Sequence, residues 1–115
     1  MPEKPDSAFK ANADCTPVET FPGVVRRTLT SGERITICEF ALAKGSVVAP
    51  HTHQHEQAGY VARGRLLFEI GGEERELRAG DGYLIPGDVV HSVTALEDSI
   101  AVDAFSPPRL EYLDP

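Results

Sequence analysis

The chain has few residues of several types, and their scarcity excludes some classes of protein. It has no tryptophan, one methionine and two cysteines among 115 residues. Cys15 and Cys38 form no CxxC pair, and a single bridge would be a thin framework for a secreted domain. No apolar run approaches the roughly 18 residues of a membrane-spanning helix, and the N-terminus lacks the apolar core of a secretory signal. We therefore expect a cytoplasmic protein with free thiols and no transmembrane segment.

Positive charge is also scarce. Eleven Lys and Arg stand against eighteen Asp and Glu, which gives a formal net charge of −7. An acidic surface is repelled by phosphate backbones and by anionic lipid. We therefore expect neither nucleic acid nor a membrane as partner. The length leaves room for one hydrophobic core, because two halves would each be too small.

Long helical patterns are missing, and short strand patterns take their place. No segment keeps a 3.6-residue apolar stripe for three turns, whereas β-branched and aromatic residues alternate between Gly, Pro and Asp turn signals. The predicted strands cover residues 24–30, 34–42, 58–63, 65–70, 82–86, 91–95 and 99–105. Gly71-Gly72 predicts a two-residue turn of a hairpin whose arms are residues 65–70 and 73–79. Short strands spaced in this way predict an all-β sandwich or closed barrel.

The strand pattern divides the chain into three parts. It runs from about residue 23 to residue 106, and this segment is the predicted barrel. Residues 1–22 contain four prolines and no sustained periodicity, so we expect an irregular N-terminal leader. Residues 107–115 form the predicted C-terminal tail.

Histidine is the clearest chemical signal. His51 and His53 stand two apart, and on one strand their side chains would leave the same face roughly 6.6 Å apart. Gln57 offers an amide oxygen, and His91 opens a predicted strand far along the chain. Neighbouring strands of a jelly roll would bring these groups to one ion, although a solvated histidine loop is the alternative. We expect a turn at His55, which places it behind the ligands or in solvent.

Two gapped motifs resemble those of the cupin family. The first motif is matched at every spacing by Gly45, His51, His53, Gln57 and Gly64. The second is matched by Gly80, Pro86 and His91. Gln57 stands where Glu is usual, Asp88 where Gly is usual and Ala95 where Asn is usual. The glycines belong to strand ends that need a left-handed backbone, so they define the fold rather than the chemistry.

The resemblance implies a single-domain, RmlC-like double-stranded β-helix (a jelly roll), often dimeric. It also implies one divalent metal held by His51, His53, Gln57 and His91. Imidazole and amide oxygen suit Zn, Ni, Mn, Fe and Cu, so the metal stays open. Four neutral ligands leave the ion's charge uncompensated, which favours polarisation of a substrate oxygen over electron transfer.

The end of the chain resembles the KdgF group of pectin-degradation cupins, which open the ring of unsaturated uronates. That group also pairs three histidines with a glutamine. The resemblance rests on Asp103, Phe105 and Arg109. It implies Asp103 as proton shuttle, Arg109 as clamp for a substrate carboxylate, and Phe105 as pocket wall. A bidentate guanidinium suits a carboxylate, and an aspartate beside a metal can pass protons.

Three functions follow, and we rank a metal-dependent, non-redox lyase or isomerase of a small sugar acid first. A non-catalytic small-molecule-binding cupin and a metal-dependent dioxygenase are the alternatives. Each implies a small-molecule ligand, and we expect a homodimer. Tyr60 and Tyr83 could each line the barrel and donate a hydrogen bond to a ligand, but we interpret both as sheet aromatics with their hydroxyls at the rim.

Overall fold

The computed structural model describes residues 8–114, and within them strands dominate. Two short 3₁₀ helices, Asn12–Asp14 and Leu110–Tyr112, flank ten strands. The strands are β1 (Val18–Phe21), β2 (Val24–Ser31), β3 (Thr36–Leu42), β4 (Val47–His51), β5 (Glu56–Arg63), β6 (Arg65–Ile70), β7 (Glu73–Arg78), β8 (Gly82–Ile85), β9 (His91–Ala95) and β10 (Ser99–Ser106). In the described part of the chain, no helix is long and apolar enough to cross a membrane.

The strands form two antiparallel sheets with a shared core. One sheet has the order β1-β2-β3-β10-β5-β8, and the other has the order β4-β9-β6-β7. Burial alternates along the central strands, as in β10, where every second residue is buried. The inward side chains of both sheets meet in one core of Val24, Leu42, Val61, Leu66, Phe68, Leu77, Val93, Ala95 and Ala101. The predicted single-domain jelly roll is confirmed.

All seven predicted strands are present, as β2, β3, β5, β6, β8, β9 and β10. Gly71 and Gly72 have φ angles of 55° and 86°, as the predicted hairpin turn requires, and the second arm of that hairpin is β7, which pairs with β6. Sequence patterning missed β1 and β4, which are both sheet edges. β4 contains Pro50, which has no N–H to donate, and its pairing with β9 shifts register between Val48 and His51.

The segments just before β2 and just after β10 lie against the sheets. β1 pairs with β2 from Val18 onward, so strand structure precedes residue 23, while residues 1–7 of the expected leader lie outside the described residues. β10 ends at Ser106, and the segment after it folds back onto β2 and β3. The Arg109 N–H donates to Thr36 Oγ1 at 2.9 Å, and the Thr28 hydroxyl donates to the Tyr112 carbonyl.

The motif glycines have the backbone expected of them. Gly45, Gly64 and Gly80 have φ angles of 86°, 88° and 98°, which side-chain-bearing residues avoid. Asp88, which replaces the usual glycine of the second motif, has φ of 64°, a conformation that aspartate tolerates better than most residues. Its N–H donates to the His53 carbonyl at 2.8 Å. The turn before β9 is thereby tied to the first histidine segment.

Candidate active site

The two sheets and the C-terminal tail enclose a cavity of about 70 Å³. Most of its wall is apolar and comes from the core side chains of both sheets. Its polar groups converge from separate strands and from the tail: His51, Gln57, Tyr83, His91, Asp103 and Arg109. A largely apolar cavity with a few converging polar groups is typical of a small-molecule site.

Three histidines form a cluster able to bind a metal at this cavity. One nitrogen from each of His51, His53 and His91 lies within 4.8 Å of the others. His51 and His91 are direct cross-strand partners on β4 and β9, and their ring centroids are 4.2 Å apart. His53 lies 5.8 Å from His51 and 4.9 Å from His91 between ring centroids.

The cluster does not arise as the sequence suggested. We expected His51 and His53 on one strand, but β4 ends at His51 and His53 lies in the loop before β5. Strand alternation therefore does not bring the two rings together. The loop does so, because the Asp88 N–H holds the His53 carbonyl.

Main-chain carbonyls orient all three imidazoles. The Nδ1 atoms of His51, His53 and His91 lie 2.8, 3.0 and 2.9 Å from carbonyl oxygens two residues away in the chain. A carbonyl oxygen only accepts, so each Nδ1 carries the proton and a neutral ring keeps its Nε2 lone pair free. Carbonyl partners of this kind fix the tautomer of metal-binding histidines.

Burial keeps two of these rings neutral. It lowers the pKa of His91 to about 4, and it is the largest cause of the lowered pKa of His53. Neutral imidazole is the form that binds a metal. Both side chains are therefore in the ligand form near neutral pH.

Gln57 lies next to the cluster. It is buried at the start of β5, and its Oε1 lies 3.0 Å from His53 Nε2. The Nδ1 of His53 already donates, so this contact brings two electron-donor atoms together, which a cation would stabilise. Atoms that each bind one ion at about 2.0–2.2 Å lie at comparable separations. The donor set therefore fits a divalent metal.

His55 lies apart from the cluster. It is 7% exposed, so of the two placements expected for it, the one in solvent is wrong. Its ring centroid is 5.8 Å from that of His53, and its Nδ1 has no hydrogen-bond partner among residues 8–114. It does not belong to the group whose nitrogens converge.

Asp103 is a buried carboxyl in the same cavity. It is 3% exposed, and the Tyr83 hydroxyl donates to its Oδ1 at 2.6 Å. Burial raises the pKa of Asp103 to about 6, while hydrogen bonds from Gln57 and Tyr83 act in the opposite direction. The Gln57 amide nitrogen is therefore the atom that faces Asp103, and the Gln57 amide oxygen faces His53.

The two tyrosines differ from each other. Tyr60 is 52% exposed on the outer face of its sheet. Tyr83 lines the cavity instead of the rim, so the sequence interpretation was wrong for this residue. Burial raises the pKa of its hydroxyl well above the usual range, so the group remains a proton donor to Asp103.

The C-terminal tail supplies Arg109 and its support. The Arg109 guanidinium lies 4.2 Å from the Tyr112 ring centroid and 5.1 Å from that of Phe105, which is 1% exposed. Its Nε donates to Glu111 Oε1 at 2.8 Å, and both Nη nitrogens lack hydrogen bonds within the described chain. Arg26 stacks on the same Tyr112 ring, also at 4.2 Å. The stack holds Arg109 at the cavity.

Comparison with known proteins agrees with this geometry. The cupin domain model matches residues 38–105 of the chain. The chain belongs to the cupin family. This cupin is 37% identical over 103 residues to the pectin degradation protein KdgF of Dickeya dadantii, a match that covers 87% of this chain and 94% of the relative.

Solved structures give the same picture. The structure of KdgF from a Halomonas species superposes with a TM-score of 0.87 at 33% identity, covering 93% of this cupin and 99% of that chain. An RmlC-like cupin from Shewanella frigidimarina superposes with a TM-score of 0.88 at 25% identity, covering 94% and 97%. The resemblance found in the sequence is confirmed.

Proposed function

We propose that this cupin is a metal-dependent, non-redox isomerase or lyase that opens the ring of an unsaturated uronate. The observation that carries the proposal is the content of one cavity. Its lining includes two members of a histidine cluster able to bind a metal, a buried carboxyl, and a guanidinium whose Nη nitrogens have no hydrogen bond within residues 8–114. Similarity to two KdgF proteins, one of them a pectin degradation protein by name, supports the same substrate class.

The proposed ligands are His51, His53, His91 and Gln57. All four are neutral donors, so an ion held here keeps its double positive charge. When bound, a divalent ion of the series Zn, Ni, Mn, Fe and Cu supplies Lewis-acid polarisation of a sugar oxygen. The main-chain carbonyls behind the imidazoles keep the donor atoms oriented for it.

Arg109 is the proposed anchor for the uronate carboxylate. Its Nη nitrogens have no hydrogen bond to any of the described residues, and a guanidinium pairs with a carboxylate through two parallel hydrogen bonds. The rings of Phe105 and Tyr112 fix its direction. In a protein with a formal net charge of −7, this local positive group attracts an anionic ligand that the surface would repel.

Asp103 is the proposed proton shuttle. Ring opening breaks the bond between the anomeric carbon and the ring oxygen of the hemiacetal. As the anomeric carbonyl forms, Asp103 accepts the proton of the anomeric hydroxyl. The electrons of the broken bond pass to the ring oxygen, and this oxygen and the neighbouring carbon–carbon double bond together form an enolate. Asp103 then donates the proton to the enolate carbon that does not carry the oxygen, and the enolate becomes a ketone. The product is a linear dicarbonyl acid isomeric with the substrate, so no further reactant is needed.

Removal of the metal tests this proposal. We expect protein loaded with a divalent metal to abolish the absorbance of the conjugated double bond of an unsaturated uronate, and chelator-treated protein to leave it unchanged. Restored activity after metal is added back is the control. Unchanged absorbance with every metal of the series would contradict the proposal. Oxygen uptake with iron or copper would favour a dioxygenase, and tight binding without turnover would favour a binding protein.

Loss of the Tyr112 ring is expected to weaken substrate binding. Two guanidinium groups stack on that ring, and a partly buried cation–π contact contributes about 1–2 kcal/mol. Tyr112→Ala should therefore raise KM for the uronate about tenfold with little change in kcat. Tyr112→Phe keeps the ring and should stay within about twofold of the wild type. Equal KM values for both variants would show that the stack does not position Arg109.

The remaining proposals concern the setting of the protein. Tyr60 and Leu84, which are 52% and 55% exposed, lie on the outer face of the six-stranded sheet and support a homodimer through that face. Cys15 and Cys38 are both free, which supports a reducing, cytoplasmic location. The acidic charge supports the absence of nucleic-acid and membrane partners.

A further inference from the structure

We propose that Tyr83 is a positioning residue that holds one oxygen of Asp103 so that the other faces the substrate, and that Gly59 provides the space for it. The inference rests on the proposed function, in which Asp103 moves the proton. It assigns a task to two residues at positions that the two motifs leave unspecified. The two residues lie on β8 and β5, and Asp103 lies on β10.

The three residues form one row across three neighbouring strands. Asp103 is the cross-strand partner of Gly59, and Gly59 is the cross-strand partner of Tyr83. Side chains of direct partners point to the same face of a sheet. Asp103 and Tyr83 are therefore separated by the width of one strand, on which the residue between them has no side chain.

Gly59 is required by the position of the Tyr83 ring. A Cβ atom at residue 59 would lie 2.0 Å from Tyr83 Cζ and 2.3 Å from its hydroxyl oxygen. The phenol thus lies over the main chain of β5 and reaches Asp103 across it. Any side chain at residue 59 would displace the ring and separate the hydroxyl from the carboxyl.

The far side of the phenol is also held. Its ring centroid lies 4.2 Å from that of Phe68, with the planes tilted by 36°. The Tyr83 ring is confined between Phe68 and the main chain of Gly59, and in this position its hydroxyl donates to Asp103 Oδ1 at 2.6 Å. A carboxylate rotates about its last bond, so engaging one oxygen also fixes the other. Asp103 Oδ2, which the Tyr83 hydroxyl does not engage, is the oxygen that exchanges a proton with the substrate in this proposal.

Removal of the Tyr83 hydroxyl is the direct test. Hydrogen bonds to a charged group contribute about 1.5–3 kcal/mol, so Tyr83→Phe should lower kcat by roughly 10- to 100-fold. KM should stay within about twofold, because Arg109 and the metal ligands are untouched. Arg109→Lys should show the opposite pattern, in which KM rises by a larger factor than kcat falls.

Gly59→Ala offers a second route to the same loss. It keeps the Tyr83 hydroxyl but pushes the ring away, and kcat should fall at least as far as in Tyr83→Phe. The matched control is Gly82→Ala on the neighbouring strand. A Cβ there would meet its nearest atom, the Gly59 carbonyl oxygen, at 3.4 Å, so activity near the wild-type value is expected.

A proton NMR measurement on zinc-loaded protein separates this inference from the proposed function. We expect the Tyr83 hydroxyl proton to exchange slowly with water, whereas that of the exposed Tyr60 exchanges rapidly. If the wild type turns over no uronate, the proposed function fails and this signal alone decides the role of Tyr83. A Tyr83 hydroxyl that exchanges as fast as that of Tyr60, or a Tyr83→Phe variant with wild-type kcat, would overturn the inference.

Discussion

Replacing Asp103 with asparagine is expected to lower kcat for uronate ring opening about a thousandfold. A positioned general acid–base group contributes roughly 10²–10⁴ to the rate, and asparagine cannot accept and return a proton at this position. The substitution keeps the shape of the side chain and an oxygen to accept the Tyr83 hydroxyl, which lies 2.6 Å from Oδ1. The loss should therefore come from proton transfer rather than from packing.

Two measurements separate these causes for Asp103→Asn. KM should change little, because the proposed contact with the substrate carboxylate belongs to Arg109. Metal content should equal that of the wild type, because the converging nitrogens come from His51, His53 and His91. A variant that keeps more than a tenth of the wild-type kcat would exclude Asp103 as the proton shuttle.

Loss of one imidazole from the cluster is expected to have the other large effect. His53→Ala should weaken zinc binding by more than the roughly 10- to 100-fold that outer hydrogen-bond partners contribute, because it removes a ligand itself. His53 Nε2 is one of the four proposed donor atoms, and it lies 3.0 Å from a second, Gln57 Oε1. Ring-opening activity should fall to the uncatalysed rate at micromolar metal.

His55→Ala is the matched control for this experiment. His55 lies in the same loop, but its nitrogens do not converge with the cluster. Its carbonyl, which holds His53 Nδ1 at 3.0 Å, is kept in the alanine variant. Titration calorimetry should give near-wild-type zinc affinity for His55→Ala. Equal losses in the two variants would mean that the loop conformation, and not the His53 ligand, determines binding.

The sequence was sufficient to predict the fold and the composition of the cluster. Alternating apolar residues and positive-φ glycines are local signals, and eight of the ten strands in the described chain follow from them, with β6 and β7 as the two arms of the hairpin at Gly71 and Gly72. His91 was also predictable, because it opens β9 directly after a turn. Its pairing with His51 depends on sheet order, which the cupin resemblance supplied.

The rest of the cavity depends on register and on the tail. The buried position of Tyr83 was predictable, because it lies two residues from Ile85 on one strand and so points to the same face; Ile85 is 1% exposed. Its contact with Asp103 was not predictable, because it depends on the register that places Gly59 between the two residues. No local sequence pattern determines that register. Tyr112 follows two prolines in a short tail, where an exposed side chain is the usual expectation. Its burial against Arg26 and Arg109 is a tertiary contact.

The position of Gln57 offers a physical reason for an amide where the family usually has a carboxylate. Its oxygen lies against His53 Nε2, and its amide group donates to Asp103. A carboxylate at residue 57 could not donate, and it would add a like charge beside a buried aspartate. The amide can therefore contact both the proposed metal ligand His53 and the proposed proton shuttle Asp103.

Anomalous diffraction from crystals of zinc-loaded protein tests the central claim most directly. We predict a single strong peak in the cavity, at about 2.0–2.2 Å from the Nε2 atoms of His51, His53 and His91 and from Gln57 Oε1. The peak should lie on the same side of the cavity as Asp103. A peak elsewhere on the protein, or a zinc ion at the histidines with the Gln57 side chain turned away from it, would contradict the account.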